Sequence, residues 1–379
     1  MGMRHPLVLM IMDGWGLRKA PDSNAIKQAG TPNLDRLHHV YPGFSTLKAS
    51  GSAVGLRPGF QGNSEVGHIN LGAGRTVDQM MVKIDKSIKD GSFKKNRALL
   101  TAIRRSKKNG SVLHIMGLAQ DQGVHSMTDH GLAVLALARS EGHAKIVFHV
   151  FTDGRDTAPR SALRYLRPIY DAIKATPGAR IGCVIGRYFA MDRDTRWDRT
   201  HKAYSALVDC IGKKSKSPLQ AIKEAYKDGE SDEFICPRII DNPGVKDGDA
   251  IIFFNYRLDR ARQLTRAFCE KDFDGFKRKK KDILFCGMTR YYEGMSGLHA
   301  FDDTKMKNIL GKVLSSHGVS QLRVAETEKY AHVTYFFNGE EETPFKGEDR
   351  ILIPSPKVAT YEVTPAMSAY GITKAVIDD

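Results

Sequence analysis

Cysteine is scarce in this sequence and never paired. Cys183, Cys210, Cys236, Cys269 and Cys286 are five scattered residues among 379, with no CxxC spacing. That excludes a disulfide framework and a thiolate zinc site, and it leaves the thiols as small buried apolar groups in a reducing cytoplasm. Long apolar runs are missing too. None approaches the roughly 20 residues that cross a bilayer. The opening residues run into a short apolar stretch without a signal-peptide layout, so a cytoplasmic protein with no membrane partner is expected. No internal repeat or low-complexity tract interrupts the chain. Acidic residues are in deficit: 43 Asp and Glu against 58 Lys and Arg give a net charge of +15. Such an excess fits a partner carrying negative charge, whether phosphate ester, nucleic acid or anionic surface. The basic runs Phe276–Asp282 and Lys213–Lys216 lack the interleaved aromatics of single-strand binders. They read as solvated faces, and no nucleic-acid partner is expected.

What is present is ordinary globular composition, 41% apolar and 27% charged, in a chain long enough for two domains. Leu7–Met12 is an apolar run that stops at Asp13-Gly14, which predicts a buried strand ending in a turn. Thr31-Pro32 opens a helix with threonine as cap and proline in its first turn. Gly51–Arg75 is rich in glycine and reads as a long loop, the kind that is usually functional. From Val82 onward the pattern alternates. Val112–Met116, Lys145–Phe151, Ile181–Ile185 and Ala250–Phe254 read as strands, and 132–139 and 161–175 as helices. This predicts a mostly parallel α/β sheet covered on both faces. Charged loops follow three of those strands, at Thr152–Asp156, Gly186–Tyr188 and Asn255–Arg257, where such sheets bind ligands. Residues 368–377 read as an amphipathic helix.

Two constellations carry chemistry. Asp13 follows a strand, as turn residues and metal ligands both do. Ser64 is framed by Gly62 and Gly67 at the start of a helical stretch, where backbone N–H groups favour an anion. That placement suits either an N-cap serine or a serine that becomes phosphorylated, which needs a base or metal to activate it. The second constellation is cationic: His125, Arg155, Arg187, Arg193, Arg257, Arg260 and Lys329 fall after strands or in short charged loops. Guanidinium forks bind phosphate and carboxylate, and Asp156 beside Arg155 is placed to take and return a hydroxyl proton.

Six ordered strings carry a resemblance: MDGWG (Met12–Gly16), GNSEVGHINLGAGR (Gly62–Arg75), FTDGRDT (Phe151–Thr157), GRYFAMDRDTRWDR (Gly186–Arg199), NYRLDRARQL (Asn255–Leu264) and AETEKYAHVTYFFNG (Ala325–Gly339). Together they resemble the cofactor-independent phosphoglycerate mutases, over nearly the whole chain. The resemblance implies an alkaline-phosphatase-like α/β domain, formed by residues 1–80 and 302–379 and incomplete at its C-terminal end. Into it is inserted an α/β substrate-binding domain, residues 81–301. The implied reaction interconverts 3-phosphoglycerate and 2-phosphoglycerate, in glycolysis and gluconeogenesis, through a phosphoserine on Ser64. Asp13 and Ser64 match ligands of one manganese. His125, Arg155, Asp156, Arg187, Arg193, Arg257, Arg260 and Lys329 match substrate contacts, with Asp156 as proton carrier and Lys329 against the phosphoryl group.

The family pattern continues past the residues present here with an Asp-x-x-x-His motif, an Asp-His pair and a further histidine. These complete one metal site and supply nearly all of a second. The 379 residues therefore imply at most a partial manganese site, and a chain that alone is weakly active or inactive. A second chain supplying the missing segment, or a non-catalytic phosphoglycerate-binding remnant, are the alternatives. Gln122, Met127 and Leu258 depart from the family pattern near the cationic loops. Another phosphotransferase or phosphatase of the same superfamily is the competing enzyme reading.

Overall fold

Strands buried on both faces are predominantly apolar, and four such runs make the centre of the larger unit. The computed structural model describes residues 6–41, 43–302, 306–358 and 360–379; the start at Met1–His5 lies outside them. The chain divides into two units, Met80–Thr304 and Met1–Gln79 with Lys305–Asp379.

The larger unit holds eight strands: β1 (Leu113–Leu118), β2 (Ile146–Thr152), β3 (Ala179–Gly186), β4 (Lys213–Lys214), β5 (Arg238–Ile239), β6 (Ala250–Phe253), β7 (Leu284–Gly287) and β8 (Leu298–His299). Their order is β4-β5-β3-β2-β1-β6-β7-β8. All pairs are parallel except β3 with β5. Helices Arg97–Lys108, Thr128–Ser140, Ala162–Lys174 and Trp197–Val208 pack on it. Arg97–Lys108 shows why: Leu99, Ala102, Ile103 and Ser106 fall on one buried face. Asn96 caps its start by accepting from the N–H groups of Ala98 and Leu99. Leu113, Ile115, Phe148, Phe151, Ile185 and Phe253 are fully inside, each contributing about 1.5–3 kcal/mol of burial.

The core is not wholly apolar. His114 on β1 and His149 on β2 are fully buried, and their imidazoles join a chain across the sheet. Asp249, just before β6, receives a hydrogen bond from His114 Nε2 at 3.3 Å. His114 Nδ1 and His149 Nε2 are 2.9 Å apart, and His149 Nδ1 is 3.1 Å from Cys183 Sγ on β3. An ionised Asp249 can only accept. His114 therefore accepts at Nδ1, His149 donates to it, and the Cys183 thiol donates to His149. One proton arrangement satisfies every contact with both rings neutral. Gly182 makes the room, since a Cβ there would lie 2.7 Å from the His149 ring.

The smaller unit has one parallel pair, β9 (Gln321–Glu326) with β10 (Glu348–Ile353). Helices Pro32–Val40, Ser64–Ala73, Leu310–Ser316 and Ala369–Asp378 also belong to it. Three sequence expectations are corrected. Leu7–Met12 is not a buried strand: it takes no regular structure and Leu7 is 96% exposed. A strand exists through a neighbour's hydrogen bonds, and among the described residues no strand pairs with this segment. Gly51–Arg75 is not a loop throughout, because Asn63 caps an α-helix over Ser64–Ala73. The thiols are not all interior: Cys183, Cys269 and Cys286 are buried, while Cys210 and Cys236 are half-buried. The helix at Ala369–Asp378 forms, yet buries no residue. Among the described residues no helix is long and apolar enough to cross a membrane.

Burial lowers the affinity of His114 and His149 for protons below that of a free imidazole. The unfolded chain takes up these protons below about pH 6.5 and the folded chain does not. The stability they confer is present above that pH and is lost as pH falls through it. Chemical denaturation between pH 7 and pH 5 should lose stability toward the acid end, by up to about 1.4 kcal/mol per pH unit for each such histidine. In His149→Leu the slope should flatten by one histidine's share, whatever the variant loses in total stability.

Candidate functional site

The three loops leaving β1, β2 and β3 are tied together by one side chain. Arg187 directly follows β3 and is 1% exposed, the largest fully buried side chain among the described residues. Its Nη1 donates to Asp153 Oδ1 and Asp156 Oδ2, both at 2.6 Å, and its Nη2 donates to His125 Nε2 at 3.0 Å. Asp153 shapes the loop after β2 by also accepting from the N–H groups of Arg155 and Asp156. The turn needs Gly154, at φ +72°, because a Cβ there would meet the Glu233 nitrogen at 2.7 Å. Burial disfavours charge on Arg187, but its contacts with Asp156 and Asp153 outweigh that and raise its pKa. His125 is affected in the opposite sense. Burial first, then the Arg187 charge, push its pKa down to about 3, so its ring is neutral.

The remaining cations sit around this knot. Arg193 Nη1 is 2.9 Å from Asp259 Oδ2 and Arg257 Nε is 3.2 Å from Asp259 Oδ1. Arg155 reaches Glu233 at 3.3 Å. Arg260 has no carboxylate within ion-pair distance among the described residues; it donates to the Met191 carbonyl at 3.2 Å. Burial, then the charges of Arg187, Arg193 and Arg155, lower its pKa. Arg155, Arg193 and Arg260 line one cavity of about 210 Å³ with Tyr188, Arg199, Asp192 and Glu233. Within the knot itself, Arg187 Nε, Asp153 Oδ2, His125 Nδ1 and Asp259 Oδ1 are buried without a protein hydrogen bond. A larger cavity, about 480 Å³, lies at the amino end of β7, with Lys280 and Lys281 beside apolar core residues. Only the basic run Phe276–Asp282 reaches it, through Lys280, Lys281 and Asp282, whereas the 210 Å³ cavity is lined by Arg155, Arg193 and Arg260 of the predicted site.

The smaller unit brings the other predicted residues together. Lys329 Nζ donates to Asp13 Oδ2 at 2.7 Å and to Ser64 Oγ at 3.2 Å. Burial raises the pKa of Asp13, but hydrogen bonds from Lys329 and Ser64 outweigh it and hold the carboxyl below its usual range. Ser64 is the first residue of its helix, and Asn63 accepts from the Val66 N–H at 2.9 Å. The close approach of Phe337, at the end of the helical segment that follows the one carrying Lys329, depends on Gly72. A Cβ at Gly72 would lie 1.8 Å from the Phe337 carbonyl oxygen.

Residues 84–293 match the family described as BPG-independent PGAM N-terminus. The chain is 50% identical to a 2,3-bisphosphoglycerate-independent phosphoglycerate mutase of Moorella thermoacetica and to phosphoglycerate mutase 1 of Methanosarcina acetivorans. Each alignment covers 99% of this chain and 74% of the relative. This chain belongs to the 2,3-bisphosphoglycerate-independent phosphoglycerate mutase family. A crystal structure of Leishmania mexicana phosphoglycerate mutase at low cobalt concentration resembles it with a TM-score of 0.72 at 31% identity, over 97% of this chain and 70% of that one.

Mutase motifs expose cations more readily than their partners. Asp153, Asp192, Glu233 and Asp259 escaped the sequence reading. Asp153 shares a five-residue string with Asp156, and Asp259 lies between Arg257 and Arg260, so adjacency was an available signal for both. Glu233 comes from a segment 78 positions after Arg155, with no local sign. The implied metal does not fit the described residues alone. Asp13 and Ser64 offer two oxygens and face an ammonium, and no group of three or more His, Cys, Asp or Glu side chains suited to a metal ion is found among the described residues.

Gly72→Ala should destabilise the smaller unit by about 1–3 kcal/mol and loosen the Lys329–Ser64 contact. Gly67→Ala, in the same helix with open space around its Cβ, should be neutral or stabilising by up to about 1 kcal/mol. Hydrogen exchange of the amides in Ser64–Ala73 and His332–Phe336 distinguishes the two.

Proposed function

We propose that the chain handles 3-phosphoglycerate and 2-phosphoglycerate, and that its family reaction is their interconversion in glycolysis and gluconeogenesis. The observation that carries the reading is Arg260, a half-buried guanidinium flanked by Arg155, Arg187 and Arg193 that has no carboxylate within ion-pair distance among the described residues. Every other arginine of the predicted set already has one. A small phosphorylated acid supplies the missing negative charge, and the forked donors suit its oxygens. His125, Arg155, Asp156, Arg187, Arg193, Arg257 and Arg260 would bind the glycerate, within the inserted substrate domain of residues 81–301. Asp156, held at 2.6 Å by Arg187, would take and return the hydroxyl proton.

Ser64 would carry the phosphoryl group in the phosphatase-like domain of residues 1–80 and 302–379. Its place at a helix start favours the phosphate oxygens, and Lys329 would neutralise the charge that develops there. Manganese, which the resemblance implies, would find only Asp13 and Ser64 among the described residues, and we route no step through it. That shortage favours a second reading: the chain binds phosphoglycerate but turns it over slowly or not at all unless a second chain brings further ligands.

The test is conversion of 3-phosphoglycerate by the purified chain with manganese present and bisphosphoglycerate absent, alongside calorimetric binding. We expect binding with little turnover. Arg260→Gln should weaken binding by about 1.5–3 kcal/mol. Turnover at an ordinary enzymatic rate that is lost with chelator and in Ser64→Ala overturns the expectation of inactivity. No measurable binding of either phosphoglycerate overturns the substrate assignment.

A further inference from the structure

Asp259 belongs to none of the roles assigned above, yet three predicted cationic-site residues converge on it. It lies in the first turn of helix Leu258–Cys269, immediately after β6 and its exit residues. Oδ2 receives Arg193 Nη1 at 2.9 Å. Oδ1 lies 3.2 Å from Arg257 Nε and 3.7 Å from His125 Nδ1. These partners come from three separate loops. The tautomer of His125 follows from its other nitrogen. Arg187 can only donate, so Nε2 accepts and Nδ1 carries the hydrogen, facing the buried Oδ1 that lacks a hydrogen bond.

We infer that Asp259 is a positioning residue: a resident carboxylate that holds Arg193, Arg257 and His125 in their binding arrangement before any ligand arrives. The inference rests on the phosphoglycerate reading of this site. Two physical arguments support it. Arg193 and Arg257 are half-exposed, long side chains. Ordering them beforehand removes an entropic cost from ligand binding. The guanidinium groups here also repel one another: burial first, then the charges of Arg187, Arg193 and Arg155, lower the pKa of Arg260, while Asp259 raises it, so a fixed anion among them offsets that repulsion. Asp259 keeps its charge: burial raises its pKa, but the arginines beside it, Arg257 first and Arg193 with it, outweigh this and lower it.

The role has a signature in sign. Removing a negative charge from an anion site should tighten phosphoester binding if charge alone mattered. If Asp259 positions the arginines, its removal weakens binding instead. In titration calorimetry of the full chain with 3-phosphoglycerate, Asp259→Asn should bind about tenfold more weakly than the parent, and Asp259→Glu should recover part of the loss. Equal or tighter binding by Asp259→Asn overturns the inference.

A second measurement needs no ligand. Arginine side-chain NMR of the free chain should show distinct, slowly exchanging Nε–H signals for Arg193 and Arg257. These should merge with the free-arginine average in Asp259→Asn and reappear in Asp259→Glu. Unchanged signals in Asp259→Asn also overturn the inference. If the parent binds no phosphoglycerate, the substrate reading fails, and the arginine spectra alone decide the role of Asp259.

Discussion

A guanidinium sealed inside a protein is tolerable only where its partners are already in place, and Arg187 imposes that condition on the whole larger unit. Desolvating such an ion costs several kcal/mol even after relaxation. Arg187 offsets this with Asp153 and Asp156 at 2.6 Å and with His125. Asp153 and Asp156 share the loop after β2, His125 lies on the loop after β1, and Arg187 itself follows β3. The sheet must therefore bring the ends of β1, β2 and β3 to fixed separations. The hydrogen bonds from Asp153 to the Arg155 and Asp156 amides hold the turn in the form that meets the charge. The protonation of the site follows from the same charge. Burial first, and then the Arg187 charge, keep His125 neutral, so the imidazole is an acceptor toward Arg187 and a donor on its far side.

The strands and the cations were legible in the sequence for one reason each. A parallel strand covered on both faces has to be apolar, so Leu113–Leu118, Ile146–Thr152 and Ala179–Gly186 stand out as continuous runs. Arginine after such a run is conspicuous because loops seldom need it. The carboxylates were harder. Asp153 and Asp259 resemble ordinary turn and helix-start residues, and Glu233 arrives from a distant segment, so pairing visible only in three dimensions gave them meaning. Leu7–Met12 failed for the opposite reason. Its apolar composition is that of a strand, but composition specifies what can pair and does not supply the neighbour. The helix at Ser64–Ala73 was legible only at its start: Ser64 reads as a helix opening, but the glycines around it, which elsewhere mark loops, masked its extent. Here Gly72 is required by the approach of Phe337, a packing reason that no local propensity expresses.

The two units handle the same problem alike. A protein that binds a highly charged ligand must keep its cations charged, ordered and soluble while the ligand is away. In the larger unit Asp153, Asp156, Glu233 and Asp259 do this for four arginines. In the smaller unit Asp13 does it for Lys329. The phosphate of an arriving ligand gains only the difference between its own contacts and those it displaces or shares. A dianionic phosphate with three acceptor oxygens exceeds a carboxylate on both charge and acceptor number, so the exchange is favourable. It is also moderate, because the resident carboxylates remain as competitors. A site that only captured its ligand would gain from bare arginines. A site that has to release its ligand as well as bind it, as the proposed reading requires, is better served by cations that already have somewhere to return.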